Sequence, residues 1–135
     1  MISETHTMEV PFFDVDSMDI VWHGHYAKYL ELARCLLLDK IGYNYRDMKL
    51  SGYAFPIVDM RIKYIKPIIF GQSISITATL AEWDFRLKIN YLIEDLSSGE
   101  RLTKAHTIQA AIDLKTQEMR IECPKIFIDK ISRLL

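Results

Sequence analysis

Between about His25 and Ile41, apolar residues crowd nearly every face of a helical spacing: Tyr26, Tyr29, Leu30, Leu32, Ala33, Leu36, Leu37, Leu38 and Ile41. A helix that is hydrophobic almost all round has to be covered by the rest of its domain. Gly42 stops it, as a glycine just past the last turn commonly does. No other stretch carries so long a helical signal, so the cover has to come from strands.

Those strands follow Ser51-Gly52. Ser73 to Trp83 alternates cleanly, with Ile74, Ile76, Ala78 and Leu80 on one face and Ser73, Ser75, Thr77 and Thr79 on the other. Period two with hydroxyls opposite predicts a half-buried sheet. Tyr53 to Lys66 reads as another strand, ended by Pro67 and Gly71, and Met8 to Phe13 as a short first one. Arg86 to Leu96 and Arg101 to Leu114 form a hairpin across Ser97-Ser98-Gly99-Glu100. Ile121 to Leu135 is ambiguous, with Pro124 dividing a short strand from a terminal helix over Ile126 to Leu134. About five antiparallel strands and one buried helix predict an α+β fold in a single domain over residues 1–135, a length that supports one core and not two.

Charge and cysteine usage narrow the function. The net charge is −1 with no basic run, which argues against nucleic acid as a partner. Cys35 and Cys123 stand apart without ligand-like spacing, so neither a disulfide framework nor a zinc cluster is expected. There is no glycine-rich phosphate loop, no secretion signal at the amino terminus and no apolar run long enough for a membrane span. The expectation is a cytoplasmic domain without cofactor or metal.

Asp14 and Asp16 stand on a loop before the helix, and Ile20-Val21-Trp22 leads to a helix opening near His23. The free N–H groups there, with about half a positive charge from the helix dipole, can hold a carbonyl oxygen while a carboxylate attacks or activates water. Asp16 in an Asx-turn or capping role would look the same in sequence. His23-Gly24-His25 beside two aspartates has a superficial likeness to a metal site, but a third ligand at a suitable distance is missing.

The motif Asp14, Asp16, Val21, Trp22, His23, Tyr26, Tyr29, Glu31, Ala33, Arg34 resembles the hotdog-fold acyl-CoA thioesterases. Its nearest likeness is to the 4-hydroxybenzoyl-CoA thioesterases and those associated with the Tol–Pal system. The likeness runs on through Phe55-Pro56-Ile57-Val58, Glu82-Trp83 and Pro124. It implies a sheet wrapped around the helix, and a substrate that is an acyl-CoA or acyl-carrier-protein thioester. It also implies Asp16 as nucleophile or general base, the His23 N–H as oxyanion donor, and a homodimer joined sheet edge to edge or a homotetramer of such dimers. Asp14 is then a loop-ordering carboxylate. His25 departs from the Asn or Ser usual in that family, and a helix cap is its plain reading. Trp22, Tyr26, Tyr29, Phe55, Pro56, Ile57 and Val58 are candidates to line the acyl site. Lys63, Arg86, Lys88 and Lys104 are candidates to meet the phosphates of coenzyme A. A hotdog dehydratase and a non-catalytic acyl-binding module are the rival readings.

Overall fold

The two faces of Ser73–Glu82 decide how sheet and helix meet. In the computed structural model, which describes residues 1–135, this segment is a ten-residue strand with one strand paired on either side. The elements run β1 (Ser3–Glu9), α1 (Tyr26–Ile41), α2 (Tyr45–Leu50), β2 (Tyr53–Ala54), β3 (Ile57–Tyr64), β4 (Ser73–Glu82), β5 (Leu87–Asp95), β6 (Arg101–Gln109), β7 (Ile112–Asp113) and α3 (Lys125–Ser132). Five strands form one antiparallel sheet in the order β1-β4-β5-β6-β3, and β2 pairs with β7 in a small second sheet. Ile74, Ile76, Ala78 and Leu80 of β4 lie buried beside Ile89, Tyr91 and Ile93 of β5. Each of the isoleucine and leucine side chains contributes roughly 1.5–3 kcal/mol on full burial. The expected α+β architecture, a five-stranded sheet with one long helix against it, is what forms.

Helix α1 lies across β1 and β4. Its buried stripe is Tyr26, Tyr29, Leu30, Ala33, Arg34, Leu37, Leu38 and Ile41. Leu32 and Leu36 remain 38% and 37% exposed, so the helix is not enclosed on every side within one chain, contrary to the sequence expectation. Gly42 takes a φ of 82°, and its N–H reaches the carbonyls of Leu38 and Asp39. A side chain at that φ would be strained, which is why glycine ends the helix.

Other expectations need correction. The first strand is Ser3–Glu9, not Met8 to Phe13: the polar run pairs with β4 as an edge strand, and Pro11, with no N–H to give, precedes a 3-10 turn over Phe12–Asp14. The strand expected from Tyr53 to Lys66 is split around Pro56 into β2 and β3. The stretch expected from Arg101 to Leu114 likewise divides into β6 and β7. Helix α2 was not anticipated, although Asn44 and Asp47 form a reciprocal capping box at its start. The ambiguous tail resolves into α3, whose Phe127 packs against Tyr43 and Phe55 with ring centroids 5.5 Å away in each case.

The two sheet edges differ. Strand β1 shows Glu4, Thr5, His6, Thr7 and Glu9 along its free side, whereas β3 is exposed over nearly its whole length and carries Ile57, Val58, Met60 and Tyr64.

Candidate functional site

The loop between β1 and α1 is closed by its own backbone. Val15 bridges Val21, the Asp16 N–H donates to the Ile20 carbonyl at 2.8 Å, and the Trp22 N–H donates to the Asp14 carbonyl at 3.0 Å. Residues 14–16 are thus zipped to 20–22, the segment that enters the helix. A second tie comes from Ile68, whose carbonyl accepts the Val21 N–H at 2.8 Å, and from the Ile20–Ile69 bridge. Asp19 makes the bend at φ 59°, a left-handed conformation that Asp tolerates better than most residues.

Within this loop Asp16 is exposed. One carboxylate oxygen, Oδ1, accepts the N–H groups of Met18 at 2.8 Å and Ile20 at 3.3 Å. The local turn role is therefore present, and it orients the carboxylate. Oδ2 has no protein partner.

Trp22 leads into a 3-10 turn, His23–His25, that runs straight into α1. The N–H groups of His23 and Gly24 take no part in the loop and cap hydrogen bonds, as expected for donors at a helical opening. The Trp22 indole lies over Gly24, where an added Cβ would come within 2.2 Å of a ring carbon. The same indole sits against both neighbouring imidazoles, with centroids 5.2 Å from His23 and 5.4 Å from His25. His25 makes no side-chain cap bond, so the plain capping reading of that histidine does not hold.

Below the turn, Asp14 is 1% exposed and accepts from Lys28 Nζ and from the Tyr29 hydroxyl, each at 2.7 Å. His25 Nδ1 stands 4.0 Å from the same carboxylate. Burial pushes the Asp14 carboxyl up, but Lys28, Tyr29 and then the His25 charge outweigh it and hold it below the usual range. Burial, followed by the Asp14 contact, pushes the Tyr29 phenol up. Asp14 is the loop-ordering carboxylate the sequence suggested. Lys28, its second partner, was not anticipated, though its distance of one turn from the helix opening was a signal.

The remaining candidates are spread more widely. Tyr26 is buried with its ring edge-on to Tyr64, centroids 4.7 Å apart, at the carboxyl end of β3. Tyr29 is fully buried and committed to Asp14. Phe55 is turned into the Tyr43–Phe127 cluster, and with Pro56 it walls an apolar groove of about 440 Å³ shared with Tyr45, Met48 and Ile112. Ile57 and Val58 begin β3, so one strand length, roughly 20 Å, separates them from Tyr64 and the helix opening. Lys63 and Lys88 point from the sheet face turned away from α1, and Arg86 is paired with Glu82. Glu31 and Arg34, one turn apart on α1, form an ion pair. Within a single chain, then, Asp16 and Trp22 share one hairpin that runs on into the His23 turn and Tyr26, while Phe55–Val58 and the cations lie on other elements.

Residues 10–131 match the family model described as the thioesterase-like superfamily. A Bacillus subtilis (strain 168) protein named "Putative acyl-CoA thioesterase YneP" is 30% identical over 123 residues, spanning 90% of this chain and 88% of that protein. An Arabidopsis thaliana protein named "Acyl-acyl carrier protein thioesterase ATL3, chloroplastic" is 26% identical over 123 residues, covering 89% of this chain and 65% of that one. Among solved structures, a DHNA-CoA thioesterase from Staphylococcus aureus superposes with a TM-score of 0.85 at 26% identity, covering 99% of this chain and 91% of the other.

Proposed function

The chain belongs to the thioesterase-like superfamily, and on that footing we propose that it hydrolyses an acyl thioester of coenzyme A or of a carrier protein to the free acid and thiol. The observation that supports the mechanism is the zip between residues 14–16 and 20–22, which ties the segment bearing Asp16 to the segment that enters the His23–His25 opening of α1. Asp16, tethered through Oδ1, offers its free oxygen as base or nucleophile. The thioester oxygen rests on the N–H groups of His23 and Gly24, donors of a kind worth roughly a hundred- to a thousandfold in rate. Trp22 and Tyr26 wall this end of the site.

The unlike edges of the sheet support a two-fold dimer through β3. An exposed edge strand carrying Ile57, Val58, Met60 and Tyr64 invites pairing, and two-fold symmetry requires the paired strands to be antiparallel. The Ile57 end of one copy then lies beside the Tyr64 end of the other, where α1 opens. Phe55, Pro56, Ile57 and Val58 of each copy would border the other copy's Asp16, and the separation seen in one chain disappears. Cytoplasmic residence fits this substrate class, and no helix is long and apolar enough to cross a membrane.

The test is thiol release across acyl-CoAs of varied length and aromaticity, with Asp16→Asn beside the native protein. Release on at least one substrate, abolished in the variant without loss of fold, is the expected result. A new enoyl absorbance from a 3-hydroxyacyl thioester, without free thiol, would replace hydrolysis by dehydration.

A further inference from the structure

The sheet face turned away from α1 divides into two chemically different halves. On β1 and β4 it is a carpet of small hydroxyls, among them Thr5, Thr77 and Thr79, with Thr5 and Thr77 joined at 2.9 Å. On β3, β6 and β5 it is cationic. Lys63 stands directly across from Lys104, Arg61 across from His106, and His106 across from Asn90. Lys88 lies in the next row, on β5. A shallow concavity of about 380 Å³ runs between Arg61, Lys63, Asn90, Lys104 and His106.

Within this cluster, Arg61, Lys63 and Lys104 have no carboxylate directly across from them, whereas Glu82 stands across from Lys88 and Asp59 shares the Lys88 row. The seven ion pairs use none of Arg61, Lys63, Lys88 and Lys104. Like charges facing each other across a strand pair cost stability, and the neighbouring strands show that Thr serves the same face without that cost. The chain as a whole carries a net charge of −1, so the positive field is local to this half of one face. An unpaired cluster of this kind fits an anionic partner.

The shape of the cluster narrows the partner. Four long, flexible cations on an open sheet suit a broad acidic surface better than a single phosphate group. No Phe, Tyr or Trp side chain projects from this face of β3, β5 or β6 to stack a nucleic-acid base. A second copy of the chain would present the same positive face and be repelled. Lys63 precedes Tyr64, whose ring packs on Tyr26 at the opening of α1 on the opposite face of the sheet.

We propose that the outer face of β3, β6 and β5 is a docking surface for an acidic acyl carrier protein, with Arg61, Lys63, Lys88 and Lys104 meeting its carboxylates. The docked carrier delivers its thioester on a flexible prosthetic arm around the Tyr64 end of β3. The delivery step rests on the thioester-hydrolase reading above. The docking itself does not.

The test uses fluorescently labelled apo-acyl carrier protein, which lacks the arm and reports surface contact alone. Two charge-reversal variants of the full chain are compared with the native protein: Arg61→Glu/Lys104→Glu, and Lys88→Glu/Lys104→Glu, which leaves the edge strand untouched. Saturable binding that weakens with salt, and that falls about tenfold or more in both variants, is expected. Reversal of Lys49 and Lys115, exposed elsewhere, should leave binding unchanged. Absence of binding, equal binding by all variants, or displacement of the apo-carrier by free coenzyme A would each overturn the proposal, the last by making the cluster a nucleotide subsite. Carrier binding without thiol release from any substrate would count against hydrolysis and leave docking standing.

Discussion

The Tyr29 hydroxyl donates to the Asp14 carboxylate at 2.7 Å, and that bond fastens the loop bearing Asp16 to the first turn of α1. The carboxylate is buried, so losing the donor leaves an acceptor short of partners. Tyr29→Phe should lower stability by about 1–3 kcal/mol in chemical denaturation at neutral pH. Thiol release should fall with it, since the Asp16 loop loses its anchor.

The same carboxylate gives a pH signature. Its folded pKa lies below the ordinary value, because Lys28, Tyr29 and His25 together outweigh the effect of burial. A depressed carboxyl contributes stability that is fully present above the unfolded pKa, about 3.9. That contribution is lost as pH falls through the folded value. The stability gap between the native protein and Asp14→Asn should therefore be constant near neutrality and shrink below about pH 4. A gap that widened on acidification would contradict the ion-pair account.

His23 and Asp16 should respond differently to substitution. The proposed oxyanion donor at His23 is a main-chain group that survives loss of the imidazole. His23→Ala should cost less than about tenfold in kcat, whereas Asp16→Asn should cost roughly a hundred- to ten-thousandfold. Equal losses would mean the imidazole itself takes part.

Gly24 is needed for space and not for backbone freedom. A methyl group there would meet the Trp22 ring at 2.2 Å, and the indole would have to swing off the turn. Gly24→Ala should change the emission of Trp22, read in a Trp83→Phe background so that a single indole reports. It should also reduce thiol release, because the wall beside the N–H donors moves.

Strand β3 makes a prediction about assembly. Val58 is 51% exposed and Met60 42% on an unpaired edge. Replacing Val58 with Lys should shift the protein from dimer to monomer in sedimentation velocity, with activity lost in parallel. A native protein that sediments as a monomer and still turns over substrate would sink the shared site.

The parts of this molecule set by local periodicity were readable from residues alone. Ile74, Ile76, Ala78 and Leu80 fall on the helix-facing side of β4 as their spacing required, and Gly42 ends α1. The first strand was misplaced because apolar density at Met8–Phe13 is a weaker guide than the polar alternation of an edge strand. Tyr53 to Lys66 reads as one strand straight through Pro56, the residue at which β2 and β3 divide. The loop around Asp16 was legible as a motif, but its anchoring on Asp14, Lys28 and Tyr29 depends on how the helix packs. The opposition of Lys63 and Lys104 depends on strand register, which no single strand's sequence contains. Arg34 is 5% exposed, with Nε and Nη1 unpartnered, a burial that its one-turn spacing from Glu31 does not reveal.

The contrast between the outer strands sets a ceiling on growth. A sheet able to accept a neighbour at one margin only, and there through a self-complementary strand, is satisfied after a single addition. In the proposed dimer, Glu4 and Glu9 of β1 blunt the remaining edge, so ribbon-like polymers are not expected even when the protein is concentrated.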